Sequence, residues 1–263
     1  MTEVRTFILV LVIIAYFIGM LRSKGVDMVN YKYAFEVDPK FIPDPGFSGI
    51  VRIFREAGLP FWSMMIAIGA VNVASFFRVA RVYKVDITLL LLLWFLHLAV
   101  VRDFAQMRIG LAAALAVLGA CSGNRWWKAA FYLLGASMHY TALAFVGAFE
   151  VCTWVSRRPQ KQVRAIMIFG LVLVTLALGG LLQRLAFLDP RVELYLKWEQ
   201  AGYGAPVDSF GSLILHFIVL AMAIMTRSVW AHDPKMRTIF YLQIAGITAF
   251  IALSQVAIFA FRI

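Results

Sequence analysis

The chain has 263 residues, of which 62% are hydrophobic, 14% aromatic and only 15% charged; its mean hydropathy of +0.83 means more apolar surface than a soluble domain of this length can hide. The formal net charge of +11 does not point to nucleic acid, because the basic residues are spread among short segments between apolar runs instead of lining one face. Two cysteines, Cys121 and Cys152, both within apolar segments and without CxxC spacing, indicate neither a disulfide framework nor a zinc site.

Long runs almost free of charge, such as 87–101 and 166–182, read as helices, since the alternating strands of a barrel have a different pattern. The fold class is therefore all-α, a polytopic transmembrane helical bundle forming a single integral membrane domain over 1–263. In order, about nine membrane segments are predicted near 6–21, 60–77, 86–101, 104–121, 127–138, 140–155, 165–186, 210–226 and 238–261. No small-residue cleavage site follows the first run, so it reads as an anchor and not as a signal peptide. A helix of twelve residues reaches only about 18 Å against a hydrocarbon core of about 30 Å. The segments at 127–138 and 140–155 are therefore either one long tilted helix or a short, re-entrant pair broken near Ser137-Met138-His139.

Charge chooses between these, because short cytoplasmic loops carry the excess of Lys and Arg. With the pair broken, thirteen of the 25 basic residues fall on the cytoplasmic side with four acids, and the other twelve are accompanied outside by ten acids. A single helix would place RRPQKQVR (157–164) outside. The broken pair is preferred, with the N-terminus cytoplasmic and the C-terminus outside. Arg102, Arg108 and His139 then share the outer face with two long loops, 22–59 and 187–209. Ionisable groups at the edges of apolar helices are expensive and need a reason, and non-helical backbone at membrane depth is tolerated where it lines a cavity. All three are expected to open onto one water-filled cleft.

In the first loop, GVDMVNYKYAFE (25–36) sets Asp27, Tyr31 and Phe35 at i, i+4 and i+8 on one helical face. After the turn-rich DPKFIPDPGF (38–47), GIVRIFREAGL offers apolar Ile50, Val51, Ile53, Phe54 and Ala57 for an amphipathic helix at the interface. The second loop combines Tyr195, Lys197, Trp198 and Tyr203 with glycines, and flat aromatic faces beside hydrogen-bonding groups suit sugar rings.

Taken in order, GVDMVNYKYAFE, DPGFSGIVRIFREAGLPFW, RIGLAAALAVLGA and KAAFYLLGASMHYTALAF resemble the signatures of EpsG-type polysaccharide polymerases, distant relatives of the Wzy O-antigen polymerases. The resemblance covers roughly residues 25–150 and is weaker in the second loop. It implies a GT-C-like helical arrangement in a bacterial inner-membrane glycosyltransferase that makes O-antigen or exopolysaccharide. Such enzymes join oligosaccharide repeat units carried on undecaprenyl diphosphate at the periplasmic face, with a chain-length regulator and a flippase as further partners. Asp27, Tyr31, Arg108 and His139 fall on the family's motif positions; Arg102 does not. The family often has more spans after the second loop.

Such a reaction needs a seat for a lipid diphosphate, an activated acceptor hydroxyl and stabilisation of the departing diphosphate. An arginine fork stays ionised and matches phosphate oxygens, which makes Arg108 the main candidate, with Arg102 and Lys197 secondary. A base of near-neutral pKa is wanted at the hydroxyl, which puts His139 ahead of Asp27; direct attack on the anomeric carbon inverts the linkage. Tyr31, Tyr195 and Tyr203 are candidate sugar contacts. The four histidines are scattered and form no metal set, and no P-loop or Rossmann glycine motif calls for a nucleotide cofactor. Plainer readings stand beside these: Arg108 snorkelling to headgroups, His139 as a packing residue, Asp27 as a helix cap, and the tyrosines as interfacial aromatics. A transporter or flippase of lipid-linked sugars is the alternative function, although little beyond Glu150 stands at mid-membrane. A non-catalytic partner is the third.

Overall fold

A computed structural model describes residues 3–22, 26–94, 106–159, 162–163, 221–222, 224–226, 228 and 231–253. The predicted spans at 165–186 and most of 210–226, and the loop at 187–209, lie outside the described residues, as do Arg102, Tyr195, Lys197, Trp198 and Tyr203. Every element among the described residues is helical, with no strand. The chain divides into two compact units, Met1–Gly147 and Ala148–Ile263.

In the first unit, α1 (Glu3–Arg22) and α4 (Phe61–Tyr83) are long and apolar enough to cross a membrane, while α6 (Met107–Ala120) is apolar but shorter. Between the first two, α2 (Val26–Glu36), a 3-10 turn at Pro39–Phe41 and α3 (Pro45–Glu56) make up the first long loop; α5 (Ile87–Trp94) and α7 (Arg125–Met138) complete the unit with the start of α8 (Thr141–Ser156). The helices are those of a membrane-type helical protein; α1, α6, α7 and α8 lie on predicted segments, while α4 runs to Tyr83, six residues past the predicted end at 77. Asp86, just ahead of α5, accepts the N–H groups of Thr88 and Leu89 and pairs with Arg5.

Small residues set the closest approaches. A Cβ on Gly69 of α4 would come within 2.8 Å of both Met20 Sδ and Phe17 Cε1 of α1. One turn on, Asn72 Nδ2 donates to Tyr16 Oη at 3.1 Å in the same buried seam. Glycines and interhelical hydrogen bonds of this kind hold helices together where lipid offers no hydrophobic contrast.

α3 carries its apolar residues at helical spacing: Phe47 and Val51 are buried, and Ile50 and Phe54 pack against the core beside them. Ile53, grouped by sequence with that face, is instead exposed alongside Arg52, Arg55 and Glu56. The helix ends where Gly58 takes positive φ (67°) and Leu59 N–H donates back to Phe54 C=O, a closure that glycine makes without a Cβ penalty. Ser48 Oγ donates to Pro39 C=O and Arg55 Nη1 to Val37 C=O, each at 2.9 Å, tying α3 to the chain before it.

In the second unit, α9 (Pro234–Leu253) begins at a turn where Asp233 accepts Lys235 N–H, and Thr238 Oγ1 donates to Ser156 Oγ at 3.0 Å.

Candidate functional site

Helices α6 and α7 form a tight hairpin joined through residues 121–124, and so short a connection makes them antiparallel neighbours. Their register can be read from the glycines. A Cβ on Gly119 would lie 3.1 Å from Lys128 C=O and 2.7 Å from Tyr132 Cε1; one on Gly135 would lie 2.9 Å from Ala112 C=O and 3.4 Å from Ala116 N. Each step back along α6 is thus matched by a step forward along α7. Continued about 6 Å to the ends, at 1.5 Å per residue, that register brings Arg108 level with His139.

α7 stops at Met138, His139 is extended (φ −166°, ψ 133°), and α8 starts at Thr141. The chain is broken at the histidine, the alternative that the charge count favours over one long tilted helix. His139 is 4% exposed. Its ring stacks on Tyr140 with centroids 4.6 Å apart, and its Nδ1 lies 2.9 Å from Thr141 Oγ1 and accepts Thr141 N–H at 3.3 Å. The hydroxyl can either donate to Nδ1 or accept from it, so both neutral tautomers have a partner on that edge. The backbone N–H serves only the tautomer with its proton on Nε2.

Arg108, in the first turn of α6, is held from the loop side. Nη1 pairs with Asp44 Oδ2, Nε donates to Tyr31 Oη at 3.4 Å, and the guanidinium carbon stands 5.6 Å from the centroid of the Tyr31 ring. The Arg108 and Asp44 side chains are 21% and 12% exposed. Tyr31 is buried in the face of α2 that also buries Phe35, its ring tilted against Phe47 of α3 at 5.4 Å. Asp27 lies in the first turn of the same helix, but its side chain is outside the described residues.

The first turn of α3 also reaches the break. A Cβ on Gly46 would be 2.8 Å from the carbonyl carbon of Ser137 and 2.9 Å from Met138 Cε, so only glycine lets the two backbones meet there. Asp44 and His139 each stand two residues from this contact, about 8 Å of chain at most on either side. Arg108, Tyr31 and the break at His139 therefore belong to one corner of the first unit, with α3 between them. Among the described residues, no group of three or more His, Cys, Asp or Glu could hold a metal ion.

Asp44 is the site residue that sequence reading missed. It counted only as one acid of the outer face inside a turn-rich stretch, and its partner is 64 positions away. The usable signal was the arginine itself: a cation at the edge of an apolar helix needs a counter-ion, and Asp44-Pro45 opening an amphipathic helix is well placed to supply one.

No curated protein and no solved structure matches the chain. The model of the EpsG family matches residues 4–263, nearly the whole length. The chain thus belongs to the EpsG family, a membership that carries in general terms the role of a glycosyltransferase-like polysaccharide polymerase in a membrane.

Proposed function

We propose that the protein joins oligosaccharide repeat units carried on undecaprenyl diphosphate, at the periplasmic face of a bacterial inner membrane, to make O-antigen or exopolysaccharide. An acceptor hydroxyl attacks the anomeric carbon of the lipid-linked donor. The new glycosidic C–O bond forms as the bond to the diphosphate oxygen breaks, the lipid diphosphate leaves with the electron pair, and the linkage inverts. Arg108 receives the diphosphate and the charge growing on its leaving oxygen, and the His139 imidazole takes the hydroxyl proton. Asp27 assists at the acceptor. Arg102, Tyr31, Tyr195, Lys197 and Tyr203 contact the substrate, and no cofactor is needed. A chain-length regulator and a flippase are the partners in this reading.

The observation that carries it is the convergence of a partly buried guanidinium and a buried imidazole on the same end of the α6–α7 hairpin. Asp44 and Tyr31 take Nη1 and Nε, and among the described residues no acceptor meets Nη2, the edge that suits a phosphate oxygen.

The test uses the protein in membranes and, purified, with undecaprenyl-diphosphate-linked oligosaccharide. Arg108→Ala and His139→Ala should each abolish long polymer while the protein still accumulates. Losing one donor to a developing oxyanion typically costs about 10²–10³ in rate. Full activity in both variants would end the reading. A carrier of lipid-linked sugar would move substrate without lengthening it or releasing undecaprenyl diphosphate. Cysteine labelling at position 140, exposed beside the histidine, should come from the periplasmic side only.

A further inference from the structure

Asp44 occupies the N-cap of α3 with extended backbone (φ −80°, ψ 114°) and proline next to it, yet its side chain makes no capping hydrogen bond. Asp38, Asp86 and Asn124 stand at equivalent starts, and each accepts a backbone N–H two residues on, at 2.8–2.9 Å. A cap of this type stabilises a helix by about 0.5–2 kcal/mol. Asp44 alone of these four forgoes it and turns its carboxylate to Arg108.

We infer that Asp44 is a positioning residue for Arg108. It anchors Nη1 so that, with Tyr31 Oη on Nε, the guanidinium plane is fixed and its Nη2 edge is presented to the lipid diphosphate. This rests on the reading that Arg108 binds that diphosphate. An arginine has several rotatable bonds and would otherwise sample many positions, including ones that reach for headgroups. Held by one corner and laid against the Tyr31 ring, it can move little. The carboxylate also competes with the substrate for the same cation, so it orients Arg108 at some expense of ground-state affinity. That trade distinguishes positioning from simple bracing: removing the charge should leave diphosphate binding as strong or stronger while slowing the chemical step.

The experiment compares wild-type protein with Asp44→Asn, Asp44→Glu and Arg108→Ala, all purified full length. Turnover per folded molecule is measured with undecaprenyl-diphosphate-linked oligosaccharide, and inhibition with inorganic pyrophosphate. For Asp44→Asn the expectation is a thermal midpoint close to wild type and a KM and pyrophosphate inhibition constant unchanged or lower. Its kcat should fall about 10–100-fold, the scale of loss when a reacting group is misplaced by about 1 Å. Asp44→Glu keeps the charge but lengthens the arm, and should also lose kcat with the fold intact. If Asp44→Asn does not accumulate, the glutamate variant decides alone. Wild-type kcat per folded molecule in whichever variant accumulates would overturn the inference and leave the carboxylate a structural brace. Full turnover and undiminished pyrophosphate inhibition in Arg108→Ala would instead overturn the reading beneath it, an outcome the Asp44 variants alone cannot produce.

Discussion

Adding one methyl group at position 46 should damage the site without touching any charged residue. In Gly46→Ala the new Cβ would stand 2.8 Å from the carbonyl carbon of Ser137 and 2.9 Å from Met138 Cε. The methionine tip can swing aside, and the Ser137 hydroxyl can rotate if it gives up its 2.8 Å bond to Leu134 C=O. The carbonyl carbon can move only with the last turn of α7. Ordinary contact starts near 3.4 Å, so from 2.8 Å the start of α3 and the end of α7 must part by about 0.6 Å. Forcing a methyl into a packed seam costs about 1–3 kcal/mol, offset by about 0.5–1 kcal/mol because alanine is the better helix residue. The net loss of stability is at most about 2.5 kcal/mol, and the parting of the start of α3 from the end of α7 should lower polymerisation about 10–100-fold. Gly49 supplies the control on the same helix, since a Cβ there meets nothing within 4 Å; Gly49→Ala should be neutral or slightly stabilising and fully active. The assay is unfolding of purified protein in detergent beside polymer length in membranes. Wild-type stability and product length in Gly46→Ala would refute the claim that this contact sets the corner.

Two further predictions concern the scaffold. Gly135→Val should lower the yield of folded protein, because the approach it blocks is to the backbone oxygen of Ala112 at 2.9 Å, where no side chain can yield; normal accumulation of active protein would show that α6 and α7 are not so close. A double-mutant cycle on Tyr16→Phe and Asn72→Leu should give a coupling of about 0.6 kcal/mol and no more than about 1.7, the range found for hydrogen bonds between helices in a bilayer. A larger value would mean that the buried pair does more than join α1 to α4.

Composition and length made the helices legible. Apolar runs of fixed span leave few choices in a membrane, and α1, α4, α6, α7 and α8 follow the predicted segments to within a few residues at most of their ends. The break at His139 was legible for a different reason: two half-length segments left either one tilted helix or a broken pair, and the basic cluster after them favoured the break. The packing was not legible in the same way. Ala112, Ala116 and Gly135 are small residues among many, and only their opposition in space gives them meaning, although the small-residue spacing of Ala112, Ala116 and Ala120 was a signal available in RIGLAAALAVLGA. Asp44 was one of ten acids that the charge count assigned to the outer side, with nothing local to single it out. Ile53 was assigned to the apolar face of α3 because it is apolar, whereas the Phe47, Ile50, Val51 and Phe54 stripe is the one at helical spacing.

The two glycine contacts divide the corner into parts with different jobs. The α6–α7 hairpin is joined by approach of backbone to backbone along its length, so whatever separates it removes the frame on which both Arg108 and His139 stand, and the damage appears as lost protein. The start of α3 touches that frame through the Asp44–Arg108 ion pair and the approach of Gly46 to Ser137 and Met138. Displacing it leaves α6 and α7 together but changes where the guanidinium points and how far it is from the imidazole. Substitutions along the hairpin seam should therefore lower the amount of folded protein with turnover per molecule preserved, whereas those at residues 44–46 should lower turnover per molecule while most of the protein, though less stable, still folds. If variants at Gly46 and Gly135 failed in the same way, by loss of protein alone, the loop helix would be merely part of the scaffold and the orientation of Arg108 would have to be set elsewhere.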